Sequence, residues 1–435
     1  MSELRHGQAS TRFIERCLRQ SPGRLTGLLL GQLDAFNRLA ATFGADVSAR
    51  FCSGYVEGLR RVLPPGASII RLGNRRFIAL LPADTIGAIM DAAAQLVEDE
   101  RAHVKIDEDE FVVDLTLGVA VYPTHAEDAE RLVRRAELAL TEARESEVPI
   151  GMYTPDSTRR QAALWKLESD LERAIQHRDI EVHFQPKIEL ADFRVRGFEA
   201  LARWRTRSGA FVSPEMFVPL AERCGAIVPL TWLVFERVRE SLSAWAGHEG
   251  SLTLAVNVAP HALKHPLFFD RLGTLHDELR AAGIGLTVEL TEESLVCADA
   301  ASKACLERVR KLGVGLSIDD FGRGYSSLAY LKEIPATEVK IDRRFVSTAA
   351  IDEKDRQVVR VIVELARAFG MSAVAEGVDS DAALRAVASL GCDTAQGFFI
   401  ARSMRADLAA RWLRGPSCEA IRVAASAGAE QPASV

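Results

Sequence analysis

The sequence predicts two consecutive α/β domains, the second a TIM-like (β/α)8 barrel. Three observations carry this expectation. The chain has 435 residues, more than a single hydrophobic core usually serves. From Asp179 onward, strand-like apolar runs alternate with helical segments, the repeat that builds a parallel barrel. Each of those runs also carries a polar residue at or near its carboxyl end, where a barrel gathers its functional groups.

The first domain is expected over residues 1–155. Phe13, Ile14, Cys17 and Leu18 share one face of a short helix within residues 1–20. The apolar run LTGLLLGQL (Leu25–Leu33) reads as a strand, and a helix of about Ala35–Leu63 stops at Pro64-Pro65. SIIRLGNRRFIALLP (Ser68–Pro82) reads as a hairpin, with Gly73-Asn74 supplying the turn. A helix of about Thr85–Glu100, strands between His103 and Tyr122, and a helix of Ala129–Ser146 complete the unit. Residues 156–178 form a helical connector in which Leu164, Leu167, Leu171 and Ala174 recur at three- and four-residue steps. That seam suits either a short coiled coil or packing on its own domain.

The barrel is expected over residues 179–414. Its strands are DIEVHFQPKIEL, RVRGFEALARW, LTLAVNV, LTVELTE, VGLSIDD, EVKID, SAVAEGV and TAQGFFI, with helices at 215–246, 301–312, 352–369 and 380–390. Residues 415–435, rich in Ala, Ser and Glu, are expected to be a flexible tail.

Composition bounds the function. With 48% hydrophobic and 26% charged residues the chain is an ordinary soluble globular protein. A net charge of −6 gives no support for general binding to DNA or RNA duplexes or to anionic membranes. A phosphate ligand would therefore be met by local cations or metal. The seven cysteines are scattered and odd in number, with no CxxC pair, as suits a reducing cytoplasm. No apolar run is long enough for membrane insertion, and MSELRHGQAS does not read as a signal peptide. A cytoplasmic location is expected.

The organising stretch is GLSIDDFGRGYSSL (Gly315–Leu328), where an apolar strand ends in Asp319 and Asp320. Strand neighbours face opposite ways, so the two acids can converge only where the pleat relaxes into a loop. At an effective dielectric of ~20, carboxylates ~4 Å apart repel by roughly 4 kcal/mol. A cation between them would relieve this, and a divalent metal is the simplest candidate. On this stretch alone, one Asp could equally cap a helix while the other is solvated. The wider pattern favours a site: Glu199, Asn257, Glu289, Asp319, Lys340, Glu376 and Gln396 fall at successive strand ends. Glu199, Asn257, Glu289 and Asp319 are hard oxygen donors suited to Mg²⁺ or Mn²⁺. The single lysine of the ring fits stabilisation of a phosphate or an attacking hydroxide.

Eight motifs in order then make a resemblance specific: QPK (Gln185–Lys187), EALARW (Glu199–Trp204), VNV (Val256–Val258), ELTE (Glu289–Glu292), DDFGRGYSSL (Asp319–Leu328), KID (Lys340–Asp342), AEGV (Ala375–Val378) and QGFF (Gln396–Phe399). This region, roughly Leu167–Arg414, resembles the EAL family of cyclic di-GMP phosphodiesterases. The resemblance implies hydrolysis of cyclic di-GMP to linear pGpG with two divalent cations. It implies that Glu199, Asn257, Glu289 and Asp319 hold one cation and that Asp319 and Asp320 share in the second. Lys340, Glu376 and Gln396 would surround the attacking water, with Glu376 as general base. Gln185 and Arg203 would contact the guanine and phosphate of the substrate. Glu292 would steady the DFGRGYSS loop, which carries dimer coupling in the family, so a homodimer or higher oligomer is expected. Three departures stand out: Arg323 for a small residue, often Thr; Asp379 for Glu; and Ser403 for a common proline. A receptor that binds cyclic di-GMP without turnover is the competing reading; retention of all the ligands and of Glu292 disfavours it.

The first domain resembles a GGDEF diguanylate cyclase, through LDAF after the first strand, RLGNRRF in the hairpin, TLGVAVYP and the AELALTEA helix. Its chemistry is expected to be lost. Gln32 stands where the family has an acid, and the GGDEF signature reads Gly73-Asn74-Arg75-Arg76-Phe77, with Arg76 at a metal-binding acid. The guanine-contacting Asn and Asp correspond to Ala40 and Ala49, and the RxxD inhibitory motif reads Pro64–Ala67. The resemblance thus implies a retired cyclase that regulates or scaffolds the barrel, with a protein regulator as a possible partner.

Overall fold

The computed structural model describes residues 2–20, 23–33, 44–73, 75–99, 104–106, 109–111, 115–245, 252–296, 300–323 and 331–414. It divides into two compact units, residues 1–167 and 168–435, and the division falls within one helix, Pro155–Gln176.

The N-terminal unit is an α/β domain. Its strands are β1 (Leu25–Leu33), β2 (Ser68–Leu72), β3 (Arg76–Ala83), β4 (Val104–Ile106), β5 (Asp109–Phe111), β6 (Leu115–Tyr122) and β7 (Ile150–Met152). Five of them form a sheet of order β2-β3-β1-β6-β7, antiparallel except for β6 with β7, and β4 and β5 form a separate two-stranded ribbon. The central strand β1 is apolar on both faces because both are covered. Leu29 and Leu33 join a core with Phe51, Phe77 and Leu96, while Leu28 and Leu30 join another with Ile14, Leu132 and Ala136. The first helix is Ser2–Gln20, and Phe13, Cys17 and Leu18 pack beside Ile14 as the sequence pattern requires. The helix expected from about Ala35 is described over Ala45–Val62; Ala40 lies outside the described residues, as does Asn74 of the turn.

The second unit closes eight strands into a barrel. They are β8 (Ile180–Glu189), β9 (Val195–Arg205), β11 (Leu252–Asn257), β12 (Ile284–Thr291), β13 (Gly315–Phe321), β14 (Glu338–Ile341), β15 (Ser372–Ala375) and β16 (Thr394–Ala395), with β10 (Phe211–Val212) appended to β9. Strands β9 and β11–β16 pair in parallel, whereas β8 runs antiparallel to both β9 and β16. The reversal follows from the sequence. Only a few residues around Ala191-Asp192 separate β8 from β9, too few for a crossover helix, so the two must form a hairpin.

The expected helix 215–246 is three helices, Pro214–Arg223, Ile227–Glu240 and Leu242–Trp245. The first break falls at Gly225, which takes a φ of 74°. A 14-residue helix, Phe268–Ala281, fills the gap between β11 and β12. Of TAQGFFI only Thr394-Ala395 is strand: a Cβ on Gly397 would lie 2.0 Å from the Val378 carbonyl oxygen, so the backbones meet too closely there for an ordinary strand. Residues 415–435 and 324–330, the latter including most of the loop after β13, lie outside the described residues.

Candidate active site

The barrel strands deliver polar side chains into the barrel in two tiers. Residues two apart on a strand share a face. Ser317 and Asp319 on β13, Glu338 and Lys340 on β14, and Gln185 and Lys187 on β8 each contribute one side chain per tier. Register aligns the strand ends, with Asn257 beside Glu289 and Gln185 beside Glu199.

Lys340 is the hub. Its Nζ lies 2.7 Å from Glu376 Oε1, 2.9 Å from Glu289 Oε2, 3.1 Å from Asp319 Oδ1 and 3.4 Å from Glu199 Oε2. The lysine is 1% exposed and Glu289 fully buried, so these are low-dielectric interactions. Amides link the rest of the ring. Asn257 Nδ2 donates to Glu199 Oε1 at 2.7 Å. Gln396 Nε2 donates to Glu199 Oε2 at 2.7 Å and to Gln185 Oε1 at 3.1 Å. Arg203 stands beside this group; it donates to Ser403 Oγ at 2.8 Å, and burial lowers its pKa.

The expectation of a single lysine needs correction. Lys187, read only as part of QPK, is buried in the lower tier, with its Nζ 2.7 Å from Glu289 Oε1 and 3.2 Å from Glu338 Oε1. The signal was available: Lys187 is two residues from Gln185 on one strand, hence on the same inward face. Ser317 Oγ donates to Glu338 Oε1 at 2.9 Å and completes this tier.

Asp319 and Asp320 converge, though not in a loop. Both lie within β13, where the pairing with β14 shifts register between Ile318 and Phe321. Asp320 takes a φ of 54°, the left-handed conformation Asp tolerates better than most residues. Its N–H donates to Asp319 Oδ1 at 2.9 Å. Gly322 follows with φ 102°, where a Cβ would lie 2.7 Å from the Phe345 ring. The Gly322 N–H donates to Glu292 Oε2 at 2.7 Å, just after β13. Asp379 is exposed and belongs to neither acidic group.

The electrostatics are unbalanced. Glu199, Glu289, Glu338, Asp319 and Glu376 contact the ammonium groups of Lys187 and Lys340, five carboxylates against two cations. Burial raises Glu289, but the two lysines outweigh it and hold that group at about 2. Burial and the charge of Glu289 push Glu199 up to about 7, and burial likewise pushes Glu376 well above the usual carboxylate range. Asp320 is raised to about 6 by burial and by Asp319. Burial lowers both lysines, yet their carboxylate partners more than offset it and keep both protonated. Carboxyls pushed up around a protonated lysine mark a site that further positive charge would stabilise.

The donor set fits divalent cations. Two groups among the described residues bring ligand atoms within 4.8 Å of one another: Glu199, Glu289 and Asp319, and Asp319, Asp320 and Glu376. Asp319 belongs to both groups. Asn257, bonded to Glu199, can turn its amide oxygen toward the first group.

Comparison with known proteins agrees with this geometry. The EAL domain model matches residues 168–403, more than half the chain. The chain belongs to the EAL family. Ahead of it, the model for the diguanylate cyclase GGDEF domain matches residues 8–148. Pseudomonas aeruginosa MucR, named a bifunctional diguanylate cyclase/cyclic di-GMP phosphodiesterase, is 31% identical over 91% of this chain and 58% of its own length. Cyclic di-GMP phosphodiesterase NbdA of the same organism is 30% identical over 90% of this chain and 50% of its own. This EAL chain thus spans 50–58% of the length of those relatives. A solved structure titled PaMucR phosphodiesterase, c-di-GMP complex, is 36% identical, with a TM-score of 0.51, over 56% of this chain and 99% of that one. No helix among the described residues is long and apolar enough to cross a membrane.

Proposed function

We propose that this chain hydrolyses cyclic di-GMP to linear pGpG in the barrel, using two divalent cations, Mg²⁺ or Mn²⁺. The observation that carries the reading is the double carboxylate cluster that shares Asp319 and encloses Lys340. Glu199, Asn257, Glu289 and Asp319 would hold one cation, and Asp319 and Asp320 would share in the other. When bound, such cations supply Lewis-acid activation of water and neutralise charge on the in-line phosphoryl transition state. Glu376, raised by its burial, is suited to accept the proton of the attacking water. Lys340, held protonated 2.7 Å from Glu376, orients that water and stabilises negative charge developing on the phosphate. Gln185 and Arg203 position the guanine and phosphate, and Gln396 fixes Glu199 and Gln185 relative to each other. Glu292 keeps the loop after β13 in register with the site through Gly322.

The N-terminal unit serves as a regulator or dimerisation scaffold and makes no cyclic di-GMP. Supporting this, Arg76 Nε donates to Gln32 Oε1 at 2.9 Å, so two positions that would carry acids bond directly to each other.

Purified protein should convert cyclic di-GMP to pGpG in Mg²⁺ or Mn²⁺, fall silent in EDTA and be inhibited by Ca²⁺, whose longer, looser coordination misplaces the water. Tight binding of cyclic di-GMP with no turnover at any cation concentration would replace this reading with that of a receptor.

A further inference from the structure

Arg323 follows the second acid of β13 by three residues and closes an ion-pair chain at the edge of the carboxylate cluster. Its Nη1 lies 3.1 Å from Asp320 Oδ2, and its Nε lies 2.5 Å from Asp342 Oδ2. Asp342 is fully buried, and its Oδ1 accepts the Arg344 N–H at 2.8 Å to cap the helix Arg343–Val346. That leaves Oδ2 turned to the guanidinium. A buried acid therefore pairs with Arg323, and Arg323 in turn reaches Asp320. The Arg323 backbone N–H also donates to the Asp320 carbonyl at 3.4 Å, which ties both ends of the contact. Asp320 belongs to the second cation group, with Asp319 and Glu376, and not to the first. A guanidinium cannot shed its proton in a protein, so its claim on Asp320 is present at every pH.

We propose that Arg323 is a tethered counter-ion competing with a divalent cation for Asp320, so that the second cation site is weaker than the first and fills only at higher cation concentration. The first group is unaffected, because its carboxylates meet the inward-facing lysines and not this guanidinium. Cation supply would then set the fraction of chains with a complete site. The inference rests on the reading of these acids as a divalent-cation site.

The test is equilibrium Mn²⁺ titration without substrate, by calorimetry and by the electron paramagnetic signal of free Mn²⁺, on the full chain and its Arg323→Ala and Arg323→Lys variants. Thermal melting confirms that each variant is folded. Wild type should bind two Mn²⁺ in separable steps. Arg323→Ala should tighten the weaker step about three- to tenfold, more than a fully exposed pair would give because Asp342 holds the guanidinium in place. The tighter step should not move, and Arg323→Lys should fall between the other two. An unchanged or weakened second step in Arg323→Ala, with the first step intact, overturns the inference while leaving the cation site standing. Absence of Mn²⁺ binding in all three proteins removes the cation-site reading itself, and the inference with it.

Discussion

At the end of β1 the N-terminal unit pairs an amide with a guanidinium, Gln32 with Arg76, whereas the barrel crowds Glu199, Glu289, Asp319 and Glu376 around the ammonium of Lys340. Both places are polar ends of apolar strands inside a sheet core. In the first, Arg76 takes its acceptor from Gln32 and also lies 3.7 Å from Glu137, so a positive charge stands where a cation would otherwise be recruited. In the second, carboxylates outnumber lysines, and burial together with neighbouring carboxylates pushes Glu199 and Glu376 up from the usual carboxylate range. The lesson is that a strand end keeps the capacity for cation chemistry only while its acids are under-compensated. An arginine at such a strand end brings positive charge to it and leaves the fold standing.

The contrast breaks most sharply at the barrel ring. Glu199→Ala, Asp319→Asn and Glu376→Gln should each lower cyclic di-GMP turnover by at least ~10²-fold, the scale on which acid–base groups act. Circular dichroism should show the variants folded, since residues at this face of a barrel serve function more than stability. Turnover within a few-fold of wild type in all three would remove these residues from the reaction.

Stability should respond one tier lower. Lys187→Met leaves Glu289 and Glu338 without one of their partners in a buried setting, and breaking a buried pair costs about 3–5 kcal/mol. Lys340 still compensates Glu289, so the loss should fall at or just below the lower end of that range. Chemical denaturation compared with wild type measures it, and an unchanged midpoint would show that Lys187 is dispensable to the interior.

The smallest effect concerns the N-terminal unit. Removing residues 1–155 should change either the turnover of the barrel or its mass in solution. The reason is that an α-helix, Pro155–Gln176, and not a Gly/Ser-rich segment, leads into the barrel. Equal turnover and equal mass, with and without the unit, would leave it no regulatory role.

Much of this contrast was legible in the sequence because strand ends are legible. Apolar runs closing on Glu199, Asn257, Glu289, Asp319, Lys340, Glu376 and Gln396 pointed to both the barrel and its ring, and Gln32 and Arg76 stood out in the first unit before their contact was visible. What escaped was set by tertiary geometry. Strand alternation argued that Asp319 and Asp320 need a loop to converge, but a left-handed Asp320 at a bulge achieves it within the strand. The inward face of Lys187 could be read from Gln185, but its ion pairs could not, because Glu289 and Glu338 are 102 and 151 residues away. The grip of Asp342 on Arg323 was invisible for the same reason: the two meet only because β13 and β14 are neighbours.

The most direct measurement gives one preparation of the full chain both reactions at once, labelled cyclic di-GMP in one vessel and labelled GTP in another, each with Mg²⁺ or Mn²⁺. The account predicts pGpG from the first and unaltered GTP in the second. Metal-dependent accumulation of cyclic di-GMP from GTP, with no pGpG formed in the first vessel, would contradict it.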